Sequence, residues 1–299
     1  MKTDFLMRSL MFVPAHNERL MNSAVKSNAD VLLLDIEDSV LPKENKQVAR
    51  DMIFKYVTNG IFKNRIIFPR VKDRESGELL KDVHQLTIEC IAGSMYPKSQ
   101  KGEDVYFFGK LLETIEHEKN IPIGTFKIIP LIETAGAVMN IQEICMACPN
   151  RVIAVAFGCE DFVTDLGGQH DKEGKSLFTA RNMIAMGARA TGVVPIDTVH
   201  INVHDLEDLE RNLIISKKLG YEGMMILNPK ELALCHKYYS PSEEQVEWAE
   251  EILELAVEAQ KEGKGVAIKG NKFIGPPMVK MAKDILAKNE LIRMKNISF

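Results

Sequence analysis

Eight short apolar runs recur along the chain, and each ends at a proline or at a polar or charged residue. A run such as Val31 to Leu34 is apolar at every position, which is typical of a parallel strand buried on both faces. Helical spacing of apolar residues fills the intervals between the runs. The runs end at Pro14, Asp35 to Asp38, Arg70, Lys98, Glu133, Glu160 and Asp161, Asp197, and Asn228.

This alternation predicts an α/β fold of the (β/α)8 TIM-barrel type, whose functional residues lie at the C-terminal ends of the strands. The 299 residues exceed the length of about 250 that is typical of such a barrel. We therefore expect a barrel domain at residues 1–239 and a C-terminal helical arm at 240–299. The arm begins at Ser240-Pro241-Ser242-Glu243, a capping box with proline at the first helical position. We expect this arm to pack on a neighbouring subunit.

The predicted elements follow the same pattern. Predicted strands lie at residues 10–13, 31–36, 66–68, 93–98, 126–132, 151–157, 193–201 and 224–227. Predicted helices of the barrel lie near residues 20–25, 44–57, 81–89, 104–118, 136–148, 178–191 and 205–219. In the arm, one helix runs from the capping box to about residue 262, a loop follows at 263–277, and a last helix lies at about 278–288.

The composition of the chain indicates which classes of partner and which compartment to expect. The formal net charge is −4, which favours neither nucleic acid nor a membrane surface as a partner. The first residues lack the apolar core of a signal peptide, and no apolar stretch is long enough to span a bilayer. The 5 cysteines are scattered and odd in number, which is typical of reduced thiols. We expect a cytoplasmic protein.

Two carboxylates are the principal candidates for chemistry. Glu133 and Asp161 follow neighbouring predicted strands, and they would repel each other unless a cation lay between them. Mg2+ binds few protein carboxylates, leaves positions for substrate oxygens, and can polarise a carbonyl or stabilise an enolate. The alternative is that both acids cap the helices that follow, and the two residues alone do not decide between these interpretations. Glu160 points the other way if its strand continues, and we expect it to have a supporting role.

Arg70 is the candidate for binding a substrate carboxylate. Its guanidinium follows the third strand and could make a two-pronged contact. The alternative is a salt bridge to the acids that end the second strand, and both can hold together. One of these acids is expected to support a metal-bound water or Arg70. They are Asp35, Glu37 and Asp38.

Seven motifs occur in a fixed order along the chain. They are residues 8–14 (RSLMFVP), 34–40 (LDIEDSV), 97–98 (PK), 131–136 (LIETAG), 157–162 (FGCEDF), 197–199 (DTV) and 227–230 (LNPK). This ordered set resembles the citrate lyase β-subunit family of the HpcH/HpaI aldolase superfamily. Relatives include malyl-CoA, β-methylmalyl-CoA and citramalyl-CoA lyases. The resemblance extends from about residue 8 to residue 286.

The resemblance implies a Mg2+-dependent barrel that forms trimers or hexamers and cleaves or forms a C–C bond next to a thioester carbonyl. Glu133 and Asp161 match the metal ligands of the family, and Arg70 matches the arginine that binds the carboxylate of the keto or hydroxy acid. The loop from Pro14 to Arg19 matches the region that receives CoA, where Arg19 could meet a phosphate. We also assign Asn228, in the last motif, to substrate binding.

Two positions depart from the family pattern. Many relatives carry Gly-Lys-Met-(Ile/Val)-Asp-x-Pro on the arm, and its Asp is thought to act as an acid or base in the active site of a neighbouring subunit. This chain has Gly275 at that position, within residues 271–277 (NKFIGPP), and glycine cannot transfer a proton. Ala15 stands where relatives commonly have glycine, and it would be strained if that position needs a positive φ.

These observations predict a Mg2+-dependent carbon–carbon lyase that cleaves a short 3-hydroxyacyl-CoA thioester into an acyl-CoA and a 2-keto acid. One alternative is an aldolase that acts on free 2-keto acids without CoA. Another is a weakly catalytic subunit that binds CoA or a keto acid, for example within a lyase complex. The acyl group, whether citryl, citramalyl, malyl or methylmalyl, stays open, as does its carrier.

Overall fold

The computed structural model describes residues 5–171, 173–261, 267–269 and 272–297. Eight parallel strands form a sheet in the order β3-β2-β1-β8-β7-β6-β5-β4. The strands are β1 (Ser9–Pro14), β2 (Val31–Asp35), β3 (Ile66–Ile67), β4 (Gly93–Tyr96), β5 (Lys127–Ile132), β6 (Ala154–Phe157), β7 (Val194–Asp197) and β8 (Gly223–Ile226).

The sheet closes on itself between its two outer strands, β3 and β4. Arg70, just beyond β3, forms a parallel bridge with Met95 of β4, and the N–H of Met95 donates to the carbonyl of Pro69 at 2.9 Å. The N–H of Ala92 donates to the carbonyl of Ile67 at 3.0 Å. The predicted (β/α)8 TIM barrel is therefore confirmed.

The strand interiors are as apolar as the sequence indicates. All five residues of β2 are buried, and β2 pairs with β1 in a register that places Leu10 beside Val31 and Phe12 beside Leu33. Because both faces of these strands are covered, their side chains can be apolar throughout. Only the last residue of β2, Asp35, brings a charge to the end of the strand.

Helices α1 to α10 follow or connect the strands. They are α1 (Glu18–Lys26), α2 (Asn45–Thr58), α3 (Leu79–Leu86), α4 (Gly102–Glu118), α5 (Ala135–Met139), α6 (Ile141–Met146), α7 (Cys159–Leu166), α8 (Lys175–Thr191), α9 (Leu206–Leu219) and α10 (Leu232–Tyr239). Short 3-10 turns lie at Arg74–Ser76 and Pro229–Glu231. Within the described residues, no helix is both long and apolar enough to cross a bilayer.

Two elements predicted within the barrel differ from the structure. The single helix predicted at 136–148 is divided into α5 and α6 at Asn140, whose side-chain amide donates to the carbonyl of Gln100 at 3.0 Å. The strand predicted at 193–201 ends at Asp197, because the Asp197 carboxylate accepts the N–H of Thr198 at 2.9 Å and pairs with buried Arg181. This local hydrogen bond turns the chain away from the sheet.

Residues 7–236 form one compact unit, and residues 237–297 with Phe5 and Leu6 form another. In the second unit, α11 (Glu243–Lys261) and α12 (Pro276–Ile297) pack around Ala249, Ile252, Ile274 and Ala282. The segment predicted as a loop at 263–277 contains an antiparallel hairpin of β9 (Ala267–Lys269) and β10 (Lys272–Ile274). The last helix is also longer than predicted, since it starts at Pro276, where proline is tolerated in the first helical turn.

Candidate functional site

A cavity of about 460 Å³ lies at the C-terminal ends of the barrel strands. Most of the residues that the sequence singles out line this cavity. They are Pro14, Asp35, Asp38, Arg70, Glu133, Glu160 and Asp161. Arg19, Glu37 and Asn228 do not line it. The remaining wall is mainly apolar, with Met11, Val13, Leu131, Val199 and Met225.

Glu133 follows β5 and is only 2% exposed. Its Oε1 accepts the backbone N–H of Lys98 at 2.5 Å, and Lys98 holds this N–H in place with a positive φ of 55°. A left-handed lysine is uncommon, and such strain concentrates at functional sites. Burial raises the pKa of Glu133 to about 8, and the nearby charges of Glu37 and Asp161 act in the same direction.

Asp161 reaches the same cavity from the next strand along the sheet. β6 ends at Phe157 and α7 begins at Cys159, so Glu160 and Asp161 both lie in the first helical turn. The expectation that Glu160 alternates with Asp161 along a continuing strand is therefore wrong. Glu160 lies at the cavity wall and pairs with His170, with 2.8 Å between Oε1 and Nε2.

Gly158 makes the approach of Glu133 possible. A Cβ at position 158 would lie 3.0 Å from the Cβ of Glu133 and 3.2 Å from its Oε2. Any larger residue would therefore press on the carboxylate from the side of α7. The FGxED motif thus supplies both Asp161 and the space that Glu133 occupies.

The two acids fit a divalent cation better than they fit helix capping. The N-cap of α5 is Thr134, whose Oγ1 accepts the N–H of Ala137 at 3.1 Å, so Glu133 is not needed as a cap. Asp161 does lie in the first turn of α7, as the capping interpretation expects. However, a buried carboxylate with a raised pKa beside a second carboxylate is costly without a counter-charge. Oxygen ligands of this kind suit a hard cation.

The salt bridge that the sequence left open for Arg70 is present. Its Nε and Nη2 bind the two carboxylate oxygens of Asp35 at 2.7 and 2.8 Å, and its Nη1 lies 3.2 Å from Glu37 and 3.4 Å from Asp38. The guanidinium carbon lies 4.9 Å from the ring centre of Phe12, and the side chain is 11% exposed. Asp35 thus fixes one edge of the Arg70 guanidinium, while the Nη1 group makes longer contacts with Glu37 and Asp38.

The pKa values of Asp35 and Glu37 are shifted in opposite directions. Burial opposes the ionisation of Asp35, but the hydrogen bonds and charge of Arg70 outweigh it and hold the pKa of Asp35 below its ordinary value. Burial raises the pKa of Glu37. Its Oε1 accepts no hydrogen bond from the described residues, although the ammonium groups of Lys72 and Lys98 lie 3.6 Å away.

The other expected binding residues lie at different places. Pro14 ends β1 at the cavity wall, whereas Arg19 is exposed on α1 and outside the lining. Asn228 caps a 3-10 turn, where its Oδ1 accepts the N–H of Lys230 at 3.1 Å. Ala15 is buried and does not have a positive φ, so alanine is not strained at that position.

The sequence interpretation missed the contributions of Phe12, Lys72, the Lys98 backbone and Gly158. The signals were weak: Phe12 and Gly158 lie within quoted motifs but carry no functional group, and Lys98 contributes through its main chain. These contacts join parts of the chain that are distant in sequence.

Comparisons with known proteins show what this chain is similar to. The family model described as HpcH/HpaI aldolase/citrate lyase matches residues 8–229. The citrate lyase subunit beta of Haemophilus influenzae is 30% identical over 95% of this chain and 97% of its own length. The mitochondrial citramalyl-CoA lyase of Homo sapiens is 28% identical over 96% of this chain and 87% of its own length.

A solved structure agrees with the fold. The crystal structure of the protein CitE from Mycobacterium tuberculosis, in complex with magnesium, acetoacetate and coenzyme A, is similar with a TM-score of 0.71. The alignment covers 96% of this chain and 99% of that chain at 22% identity. The likeness shows a common architecture.

Proposed function

This chain belongs to the HpcH/HpaI aldolase/citrate lyase family, and we propose that it is a Mg2+-dependent carbon–carbon lyase acting on a short 3-hydroxyacyl-CoA thioester. The products would be an acyl-CoA and a 2-keto acid. The names of the relatives support the reaction class, since they include citrate lyase β subunits and citramalyl-CoA lyases. A related structure that contains magnesium and coenzyme A supports the two ligands.

One observation carries the proposal: Glu133, Asp161 and Arg70 line a single cavity. Glu133 and Asp161 would hold Mg2+, which when bound would polarise the carbonyl or hydroxyl oxygen of the keto-acid half of the substrate. Arg70 would bind the carboxylate of that half. The ion and the guanidinium would therefore fix both polar ends of the part that becomes the 2-keto acid.

Arg70 can still bind a substrate although Asp35 occupies its Nε and Nη2. A guanidinium has five N–H donors, and the Nη1 group lies 3.2 Å from buried Glu37 and 3.4 Å from Asp38. The Asp38 side chain is 58% exposed, so a substrate carboxylate can displace it at little cost. Asp35 would then act as a positioning residue that keeps the guanidinium plane fixed.

The chain has Gly275 at the position where relatives carry the aspartate that is thought to transfer a proton. Cleavage removes the proton of the substrate hydroxyl, breaks the adjacent C–C bond and leaves a thioester enolate, which must then gain a proton. General acid–base groups contribute about 10²–10⁴-fold, so the missing aspartate predicts a slow enzyme rather than an inactive one. Gly275 is also the observation that favours the second candidate, a weakly catalytic subunit that binds CoA or a keto acid within a lyase complex.

The oligomeric state, the residues that contact CoA and the cellular compartment are also part of the proposal. We infer a homotrimer or hexamer in which the arm, residues 240–299, packs on a neighbouring subunit. Pro14, Arg19 and Asn228 would contact the CoA thioester. None of the 5 cysteines, all of which lie within the described residues, forms a disulfide, which supports a reducing compartment such as the cytoplasm.

Turnover of citramalyl-CoA, malyl-CoA and citryl-CoA, compared with free pyruvate and oxaloacetate as aldol substrates, tests the reaction. We expect cleavage of at least one thioester, loss of turnover with EDTA, and recovery with Mg2+. Glu133→Gln and Asp161→Asn should each abolish turnover and Mg2+ binding, whereas Glu113→Gln, on the exposed face of α4, should leave both unchanged. Full activity of either site variant in EDTA would refute the metal-dependent reaction. Turnover of free keto acids alone would favour the aldolase, and ligand-induced thermal stabilisation without turnover would favour the binding subunit.

A further inference from the structure

A second group of potential metal ligands lies beside the proposed Mg2+ site. Cys159 and Glu160 are the first two residues of α7, and His170 lies in the loop after it. The Nε2 of His170 lies 2.8 Å from the Oε1 of Glu160, and the Sγ of Cys159 lies 3.8 Å from the same oxygen. All three ligand atoms lie within 4.8 Å of one another.

We propose that Cys159, Glu160 and His170 bind a borderline divalent cation such as Zn2+ at a site distinct from Glu133 and Asp161. Cys, His and Glu are the residue types that bind Zn2+, and three protein ligands with one open position is a recurrent arrangement. A thiolate and an imidazole disfavour Mg2+, which prefers oxygen ligands. The two neighbouring sites would therefore select different ions.

The spacing of the three atoms suits a tetrahedral ion. Zn–S bonds of about 2.3 Å and Zn–O and Zn–N bonds of about 2.1 Å place tetrahedral ligand atoms about 3.4–3.6 Å apart. The Cys159–Glu160 separation of 3.8 Å must shorten by only about 0.2 Å. The Glu160–His170 separation of 2.8 Å must widen by roughly 0.6 Å. The Glu160 and His170 side chains are 61% and 29% exposed, so they can make this adjustment.

The surroundings hold the sulfur in place and leave room for a fourth ligand. Cys159 is 2% exposed, and its backbone N–H donates to the Oγ1 of Thr198 at 3.2 Å. Cys159 and His170 line a second cavity of about 250 Å³, which also contains Thr198 and His200. A water molecule or a small anion can therefore reach the open coordination position from this cavity.

A Glu160–His170 ion pair without any metal is the competing explanation. It accounts for the distance of 2.8 Å but gives Cys159 no function. The two explanations predict different spectra, because only metal binding creates a bond to the sulfur.

Co2+ serves as the probe, added to the full-length protein in the presence of excess Mg2+. A thiolate bound to Co2+ gives an intense near-ultraviolet charge-transfer absorption, and Zn2+ added afterwards should remove it. We expect one such Co2+ per chain. Cys159→Ser should abolish the absorption, and His170→Ala should weaken Co2+ binding by at least about 10–100-fold, the loss seen even when a supporting residue of a metal site is changed.

Two controls separate this site from others. Cys90→Ser changes an exposed thiol elsewhere in the chain, and Asp161→Asn changes the proposed Mg2+ site; both should keep the absorption. Circular dichroism of each variant verifies its fold. Absence of the absorption in the parent protein would overturn the proposal, as would its persistence in Cys159→Ser. Its loss in Asp161→Asn would also overturn it, because the ion would then belong to the Glu133 site.

Discussion

The environment of Glu133 predicts a strong pH dependence of Mg2+ binding. Burial raises the pKa of this carboxyl group to about 8, with the charge of Glu37 as the next contribution. Because the metal binds the ionised form, the metal-free protein must release the Glu133 proton before Mg2+ can bind. Apparent affinity should therefore increase as the pH rises towards 8 and level off above it.

The size of the effect follows from the fraction of Glu133 that is ionised. With a pKa of about 8, that fraction is about one half at pH 8 and about one hundredth at pH 6. Apparent affinity should thus fall by about 50-fold between pH 8 and pH 6. Ordinary carboxyl groups are ionised throughout this interval and would contribute little.

Isothermal titration calorimetry measures both consequences. Titrations at pH 6, 7 and 8 give the affinity, and repeating them in buffers with different ionisation enthalpies gives the protons released, about 0.9 per Mg2+ at pH 7. Glu37→Gln should shift the profile to lower pH, because it removes a negative charge near Glu133. An affinity that changes less than about 3-fold, with no proton release, would refute this account of the site.

Three further substitutions test other contacts. Arg70→Lys should raise the KM for the carboxylate substrate by about 10-fold or more, because an ammonium group cannot bind Asp35 and a substrate through two separate edges. An unchanged KM in steady-state kinetics would contradict substrate binding by Arg70. Gly158→Ala should weaken Mg2+ binding by about 10-fold in the same calorimetric assay, because the new Cβ would press on the Glu133 carboxylate. An unaltered affinity would mean that the Glu133 side chain can move aside without losing the ion. The double change Phe273→Met and Gly275→Asp should raise kcat by about 10²-fold or more if a proton donor is what the arm lacks. The Phe273 change is included because a Cβ at position 275 would meet the Phe273 ring at 2.6 Å, and Gly275→Asp alone is the matched comparison. If the double variant shows no gain in kcat, position 275 does not supply a proton donor.

The order of strands and the positions of their polar ends could be predicted from the sequence. Apolar runs and helical spacing are local properties, and a strand such as β2 keeps its pattern whatever it packs against. The same reasoning placed Glu133 and Arg70 at strand ends, because parallel strands in a barrel present their C-terminal ends on one face. Two barrel elements that were predicted wrongly, the helix split at Asn140 and the strand that ends early at Asp197, depend on side-chain hydrogen bonds made locally or to distant residues.

By itself, therefore, the sequence determined the barrel, its arm and the types of residue at its mouth. Only the tertiary structure decided how those residues interact. It shows which edge of Arg70 is bound by Asp35, why the pKa of Glu133 is raised, and that His170 lies beside Cys159. The physical reason is that pKa values, ion pairs and ligand geometry depend on burial and on distances of a few ångströms. Those quantities exist only once the parallel pairing of β2 with β3 brings residues such as Asp35 and Arg70, 35 positions apart, into contact.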